Sequence, residues 1–254
     1  MSASLVGSEM CIRDSNDDLL ALYTLTGGIP KYVELFCDNQ ALTIDKMYDF
    51  VFSENSLFID EGRNLLITEF GKNYGTYFSI LSEIANGHYT QGEIESALGG
   101  TAIGGYLSKL ENVYNLITRE RPIFAKPGTK KNVRYVIGDN FLNFWFKYIE
   151  QNRSYIELQN FDDLRQLAKA DYPTYSGRVL EKYFKQKLAE SGGFKEIGSW
   201  WETKSSIGKQ RINSYEIDIV ALKSSGKKAL IAEVKRVPEN KYSLSLIHIS
   251  EPTR

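Results

Sequence analysis

Three charged residues near the C-terminus have the types and spacing that phosphodiester hydrolysis requires. Asp218 interrupts one apolar segment, and Glu233 and Lys235 end the next apolar segment of the chain. Since side chains alternate between the two faces of a strand, Glu233 and Lys235 share a face, as do Glu216 and Asp218. Charges in apolar segments are costly to bury unless they pair or hold a metal. This cluster is therefore the candidate site.

The two apolar segments are predicted to form neighbouring strands. Residues 215–222 and 229–234 are rich in aliphatic and β-branched side chains, and a Lys/Ser/Gly turn at 223–228 separates them. Pairing of these strands would bring carboxylates and an ammonium group to one end of an apolar sheet. Glu216 is expected at the rim of that site.

The chemistry expected of the cluster depends on a divalent metal, which neutralises developing charge and makes hydroxide available near neutral pH. Magnesium takes hard oxygen ligands and keeps several waters, so two carboxylates suffice to bind it. Asp218 and Glu233 are the predicted metal ligands, with the carbonyl of Val234 as a further candidate. Lys235 would orient the attacking water or help to deprotonate it.

The same residues also have an ordinary structural explanation. An acidic residue beside a strand pair usually lies at a solvated edge, and a Glu/Lys pair on one strand is commonly a weak surface ion pair. Asp218 within an apolar strand favours the functional interpretation, because charges are seldom buried without a partner. Even a complete set of these residues does not establish catalysis, since such a fold can serve as a binding scaffold.

The composition limits the class of protein. The chain has 254 residues, of which 42% are hydrophobic and 25% charged, as in ordinary globular proteins. The net charge is −1, so contact with nucleic acid would need a local basic patch. No apolar run approaches the roughly 20 residues that span a bilayer. Cys11 and Cys37 form neither a disulfide framework nor a metal pattern, which is typical of a reducing cytoplasm.

Both termini are interpreted as translated adapter DNA. One strand of a transposon-type sequencing adapter encodes residues 10–15, and its reverse complement in another frame encodes residues 244–249. The tails 1–15 and 244–254 are therefore left out of the fold prediction. On this interpretation the natural chain is cut at both ends, where the tails begin.

Residues 16–70 are predicted to form a helical domain and residues 71–150 a winged helix-turn-helix. In the second domain Thr90 and Glu93 form a capping-box pattern at the start of a short helix. Its predicted helices lie at 74–85, 90–98 and 101–112, and its predicted strands at 116–119 and 134–137. Three helices followed by a basic hairpin are the order of a winged helix-turn-helix.

Residues 151–243 are predicted to form a C-terminal α/β domain. An aromatic helix at 141–149 and a polar connector at 150–163 lead into it. It is predicted to contain a helix at 177–190 and a strand at 194–201, followed by the two strands that carry the candidate site.

A nucleic-acid surface is predicted on the winged helix, with the 101–112 helix facing a groove and the hairpin facing the backbone. Basic residues there could contact phosphates and would make binding salt-dependent. They are Lys109, Arg119, Lys126, Lys130, Lys131 and Arg134. The alternative is a solvated wing or one that docks another protein domain. Sequence-specific recognition is not expected, because Gly104 and Gly105 offer no side chains to reach the bases.

In order along the chain, three motifs resemble the C-terminal two thirds of archaeal-type ATPases of the AAA+/STAND group. The Thr-Gly-Gly-Ile-Pro-Lys-Tyr string at 26–32 is similar to the end of that family's helical lid. Residues 74–149, including Gly-Asp-Asn-Phe-Leu-Asn-Phe-Trp-Phe from Gly138, resemble its winged helix. The last part is similar to its C-terminal domain, related to PD-(D/E)XK nucleases. The resemblance covers residues 16–241.

This resemblance implies further roles. In the related nucleases an acidic residue on the preceding helix supports the site, and Glu181 occupies that position. Arg178, about one turn earlier, could pair with Glu181 or meet a phosphate. No G-x-x-x-x-G-K-[ST] motif occurs, so we expect no ATP site in this chain. The ATPase domain is expected upstream, as a partner in the full-length protein.

The sequence therefore predicts an α+β, multi-domain protein: a helical lid remnant, a winged helix and a truncated restriction-endonuclease-like α/β domain. The leading hypothesis is a cytoplasmic, DNA-associated, ATPase-linked protein with a magnesium-dependent nuclease-type domain. The alternative is a non-catalytic regulatory or protein-interaction module of the same ATPase.

Overall fold

The structure, a computed structural model, describes residues 15–125, 133–202, 206–207, 210–211, 215–225 and 228–236. Helices dominate the chain up to residue 190, and strands follow. The mixed α and β class predicted from the sequence is confirmed. Within the described ranges, no helix is both long enough and apolar enough to cross a bilayer.

The helices are α1 (Asn16–Thr26), α2 (Pro30–Asp38), α3 (Ile44–Val51), α4 (Phe58–Phe70), α5 (Tyr74–Ala85), α6 (Gln91–Ala97), α7 (Gly104–Asn112), α8 (Asn140–Phe144), α9 (Arg153–Glu157) and α10 (Phe161–Glu190). The strands are β1 (Ile117–Glu120), β2 (Arg134–Ile137), β3 (Phe194–Trp201), β4 (Ser206–Ile207), β5 (Gln210–Arg211), β6 (Glu216–Lys223) and β7 (Ala229–Ala232). Strands β1 and β2 form one sheet, β3, β6 and β7 a second, and β4 and β5 a short third.

The internal contacts divide the chain into two units. One consists of residues 1–119 and 135–172, and the other of residues 120–134 and 173–254. The second boundary falls at Pro173, inside α10. Because proline has no N–H group, the helix lacks one backbone hydrogen bond there.

Helix α10 is longer than the sequence predicted. A helix was expected over 177–190 only, but α10 begins at Phe161. Leu164, Ala168 and Tyr172 are buried at four-residue spacing, which is one stripe of a helix. The stripe is one residue wide and most residues around it are exposed, so the sequence pattern did not indicate that the helix starts at Phe161.

The first helix is capped at both ends and is joined to α3. Ser15 is the N-cap, and its hydroxyl accepts the backbone N–H of Asp18 at 3.0 Å. The Asp18 carboxylate in turn accepts the backbone N–H of Ile44 at 2.8 Å, which joins α1 to α3. Gly27, with φ of 64°, ends α1, and Pro30 starts α2, as predicted.

An aromatic cluster forms the core of the first unit. Trp145 is fully buried, and its indole Nε1 donates to the carbonyl of Phe58 at 2.9 Å. Gly62 of α4 lies against this ring, where a Cβ would come within 2.2 Å of an indole carbon. Trp145–Ile149 form a π-helix after α8 in place of the single helix predicted over 141–149. Nearly every side chain of this segment is buried, so it is apolar all round.

Helices α5, α6 and α7 and the β1–β2 sheet appear in the predicted order. The Thr90 capping box is confirmed: its hydroxyl accepts from the Glu93 backbone N–H at 3.3 Å, and the Glu93 carboxylate accepts from the Thr90 N–H at 3.0 Å. Helix α7 begins at Gly104 instead of residue 101. The Glu95 carboxylate accepts the Ile103 N–H at 3.2 Å and so satisfies the turn without a helix.

The second unit contains an antiparallel sheet of order β3-β6-β7. The middle of β6, at Ile219, Val220 and Ala221, is buried on both faces, as expected of a central strand. The strand predicted at 229–234 ends at Ala232, so Glu233 and the residues after it continue beyond the ladder.

Gly62→Ala is expected to lower the free energy of unfolding by about 2 kcal/mol. The added methyl would overlap the Trp145 indole, and overpacking a core costs ~1–3 kcal/mol. The higher helix propensity of alanine offsets up to ~1 kcal/mol of this loss. Denaturant unfolding of both proteins measures the difference.

Gly75→Ala is the matched control, because Gly75 also lies in a helix of this unit and its added Cβ would meet nothing within 4 Å. It is expected to leave stability unchanged or slightly raised. Equal effects at the two glycines would contradict the close packing of Gly62.

Candidate active site

The register of β6 and β7 brings Asp218 and Glu233 to one face of the sheet. Ile219 pairs with Ala232 at the end of the antiparallel ladder. Asp218 precedes the first of these residues and Glu233 follows the second, so continuing the register by one residue places the two acids opposite each other. Opposing residues of antiparallel strands project to the same side. The structure thus brings together the two residues predicted to bind a metal.

The carboxylate of Asp218 is held in place by the chain after β7. Its Oδ2 accepts the backbone N–H of Val234 at 2.7 Å. The backbone carbonyl of Asp218 accepts from the Ser199 hydroxyl at 2.9 Å. Asp218 is half-buried, and an ionised carboxylate has further lone pairs beyond the one used by Val234. The Asp218 carboxylate can therefore accept a further hydrogen bond or bind a metal ion.

Glu181 lies on α10, and its charge interacts with the acids of β6. Burial is the largest effect and raises the pKa of Glu181 to about 7, and the charges of Asp218 and Glu216 add to the shift. The cations of Lys185 and Arg178 act in the opposite direction on this pKa. Glu181 is thus near enough to the acids of β6 for their charges to affect it, and the pKa of its carboxyl group lies near neutral pH.

Glu233 and Lys235 form an ion pair of 3.1 Å, with side chains 67% and 69% exposed. An exposed pair of this kind contributes little to stability, so both groups can exchange partners at small cost. The described residues contain no group of three or more His, Cys, Asp or Glu placed to hold a metal. The site offers two carboxylates, Asp218 and Glu233, and this number fits Mg²⁺, which binds through one or two carboxylates and keeps its waters.

The structure adds two residues that the sequence reasoning missed. The Lys185 ammonium donates to the Ser199 hydroxyl at 2.5 Å. Lys185 lies four residues after Glu181 on α10, so helical spacing could have indicated that they share a face. No sequence signal indicated Ser199, because its role depends on the pairing of β3 with β6.

A second contact joins α10 to the chain that follows β7. The Arg236 guanidinium donates to the hydroxyl of Ser176 at 3.0 Å, and Ser176 is fully buried. Arg236 follows Lys235 directly. The segment that carries Glu233 and Lys235 is therefore attached at both ends, by the ladder and by this bond.

The residues predicted to contact nucleic acid are in varied environments. Lys109 is exposed on α7, and Arg178 is exposed on α10. Arg119 forms an ion pair with Glu111, and its guanidinium lies 5.5 Å from the Tyr135 ring. The predictions for Lys126, Lys130 and Lys131 lie outside the described residues.

Arg134 contacts the sheet of the second unit. Its guanidinium donates to both carboxylate oxygens of Glu216, one of them at 3.1 Å, and lies 4.2 Å from the centre of the Trp201 ring. In the same unit, the Ile123 N–H donates to the Ser199 carbonyl at 2.8 Å. Residues 120–134 thus belong with the sheet that carries Asp218.

Comparisons with known proteins give a family match and one relative. Residues 145–242 match the model of DUF234, described as archaea bacterial proteins of unknown function. The chain is 35% identical over 232 residues to the uncharacterized protein MJECL04 of Methanocaldococcus jannaschii. The aligned region covers 86% of this chain. The chain spans about half of that relative, 48% of its length. No solved structure matches.

Glu181→Gln is expected to change how stability depends on pH. The folded protein holds a proton on Glu181 up to about pH 7, whereas the unfolded chain releases it near the usual 4.5. Binding of this proton therefore stabilises the folded protein fully below pH 4.5. This stabilisation is lost as pH rises to about 7. The glutamine variant has no such proton to lose, so its Tm relative to that of the parent should rise between pH 4.5 and 7. Thermal unfolding of both proteins at several pH values measures this difference.

Glu190→Gln is the control on the same helix. The hydrogen bond from Lys187 lowers the pKa of Glu190, so its stabilising contribution is lost only as pH falls. It should show no relative gain between pH 4.5 and 7. If the plot of Tm against pH for Glu181→Gln runs parallel to that of the parent, the desolvated position of Glu181 is contradicted.

Arg134→Ala is expected to lower the free energy of unfolding by about 1 kcal/mol. An exposed ion pair contributes ~0–1 kcal/mol and an exposed cation–π contact ~0.5–1 kcal/mol. Arg134→Lys should retain only part of this stability, since lysine cannot make two parallel hydrogen bonds to Glu216. Denaturant unfolding checks this, with Arg121→Ala, at a nearby exposed position, as the control expected to be neutral.

Proposed function

We propose that this chain carries a magnesium-dependent phosphodiester hydrolase site of the PD-(D/E)XK type, formed by α10, β6 and the segment after β7. The observation that carries the proposal is that the β6–β7 ladder ends at the Ile219–Ala232 pair, directly beside Asp218 and Glu233, with the Asp218 carboxylate accepting the Val234 N–H. The raised pKa of Glu181, caused by burial and then by the charge of Asp218, supports it further. Strongly perturbed acids in such a cluster are typical of functional sites.

The chain's own residues have distinct tasks in this proposal. Asp218 and Glu233 would hold the ion, with Asp218 kept in place by the Val234 N–H. When bound, Mg²⁺ would neutralise developing charge and lower the pKa of a bound water. Lys235 would leave its weak pair with Glu233 and orient or deprotonate the attacking water. Glu181, ionised above about pH 7, would accept a proton or a hydrogen bond from that water.

The proposed substrate is DNA, and the proposed context is an ATPase-linked protein. The order α5, α6, α7, β1, β2 supports a winged helix, a fold used to bind DNA. Lys109 and Arg178 are exposed cations that could contact phosphates. Resemblance to archaeal-type AAA+/STAND proteins supports the ATPase link. Any ATP chemistry would come from a domain other than this one, because the chain has no phosphate-binding loop motif.

The alternative function is a non-catalytic regulatory or protein-interaction module. The exposed pair of Glu233 and Lys235 supports this alternative, because two-thirds exposure is ordinary for a surface ion pair. Such a module would retain the fold and the polar contacts of Asp218 without binding a metal at this face.

Asp218→Asn is expected to abolish magnesium-dependent cleavage. The test incubates the chain with fluorescent duplex and single-stranded oligonucleotides in Mg²⁺, with chelator as the blank. Metal charge stabilisation is worth several kcal/mol, so the variant should be at least about 100-fold slower. Glu233→Gln should show a comparable loss, and calorimetric titration with Mn²⁺ should show weaker binding by both variants.

Glu196→Gln is the matched control. Glu196 is exposed on β3 and pairs with Leu222, four residues along β6 from Asp218. It should leave cleavage and Mn²⁺ affinity unchanged. Mn²⁺ binding that depends on Asp218 but supports no cleavage would favour the non-catalytic module. If Asp218→Asn changes neither metal binding nor cleavage, the proposed function is wrong.

A further inference from the structure

We infer that Lys185 is a positioning residue of the metal site, acting through Ser199 on the backbone that carries Asp218. This inference rests on the proposed function and adds a residue to it. Three contacts in series support it, from α10 to β3, from β3 to β6 and from β6 to the segment after β7.

The first contact connects α10 to β3. Lys185 is half-buried, and its ammonium donates to the Ser199 hydroxyl at 2.5 Å, as expected for a charge-assisted hydrogen bond. Ser199 is only 8% exposed. A buried hydroxyl that accepts from an ammonium has its own proton directed elsewhere, which sets the direction of the next bond.

The second contact reaches Asp218 at an irregularity in the sheet. Gly198 pairs with Val220 but Trp200 pairs with Ile217, so β6 has one extra residue opposite Ser199. There the Ser199 hydroxyl donates to the Asp218 carbonyl at 2.9 Å. A bulge bends its strand and changes the direction of a side chain, and bulges are frequent beside active sites. Ser199 therefore stabilises the local backbone that aims the Asp218 carboxylate.

The third contact fixes the carboxylate itself, since Asp218 Oδ2 accepts the Val234 N–H at 2.7 Å. The series thus ends beside Glu233, the second proposed ligand. Groups that orient metal ligands through hydrogen bonds typically lower metal affinity 10–100-fold when they are removed. Lys185 and Ser199 occupy this role on the protein side of Asp218.

A purely electrostatic role of Lys185 predicts the opposite effect on metal binding. A nearby ammonium repels Mg²⁺ or Mn²⁺, so its removal alone should tighten binding. Positioning predicts that removal weakens binding although a repelling charge has gone. Ser199→Ala separates the two effects further, because it changes no charge.

The experiment titrates the full chain with Mn²⁺ by calorimetry and by electron paramagnetic resonance of the free ion. Ser199→Ala and Lys185→Met are each expected to weaken Mn²⁺ binding about 10-fold. The double variant should be no weaker than either single variant, because both break one series of contacts. Lys185→Arg, which retains a charged donor, should stay within about threefold of the parent.

Lys187→Met is the matched control. Lys187 lies two residues further along α10, is 55% exposed and pairs with Glu190 at 2.8 Å. It should leave Mn²⁺ affinity unchanged. Thermal unfolding without metal shows whether each variant is folded. If Ser199→Ala does not fold, the difference between Lys185→Met and Lys185→Arg decides the question alone.

The outcomes separate this inference from the proposed function. If Mn²⁺ binding depends on Asp218 while Lys185→Met binds equally or more tightly, the positioning role is wrong and the metal site stands. Additive effects of Lys185→Met and Ser199→Ala would likewise exclude action through Ser199. If the parent shows no Mn²⁺ binding that depends on Asp218, both the site and the positioning role are excluded.

Discussion

The pairing register of β6 with β7 is the constraint on which the proposed site depends. Asp218 faces Glu233 only because Ile219 pairs with Ala232, and a slip of one residue would send one of the two acids to the opposite side of the sheet. Burial of Ile219, Val220 and Ala221 resists such a slip, since it would exchange the apolar sets of both faces. Apolar packing in the centre of the sheet thus determines polar geometry at its end.

The second constraint is the balance of charge around that end of the sheet. Burial raises the pKa of Glu181, and the charges of Asp218 and Glu216 raise it further. Cations from α10 and β2 offset these charges: Lys185 lowers the pKa of Glu181, and Arg134 pairs with Glu216.

The sequence predicted local features well and long-range ones poorly. Residues with strong local signals, such as the Thr90 capping box and the apolar run at β6, were placed correctly because their causes lie within a few residues. The start of α10 was missed because Leu167, between the buried Leu164 and Ala168, is exposed, so only packing reveals which apolar residues form the buried stripe. Alternation indicated that Asp218 shares a face with Glu216 and Glu233 with Lys235, but the placement of one strand against the other depends on their register. Ser199 could not, because the bulge that makes it important exists only after β3 and β6 have paired.

That bulge also has an evolutionary consequence. A one-residue change between Glu216 and Ile219 would turn Asp218 to the other face of β6, and one between Gly198 and Trp200 would change the one-residue offset opposite Ser199. The connection from β3 to β6 contains the separate β4–β5 pair and carries neither Ser199 nor Asp218, so a change in its length does not alter their pairing. Homologues are therefore expected to accumulate insertions and deletions within 203–214 and to keep the spacing on either side of it fixed.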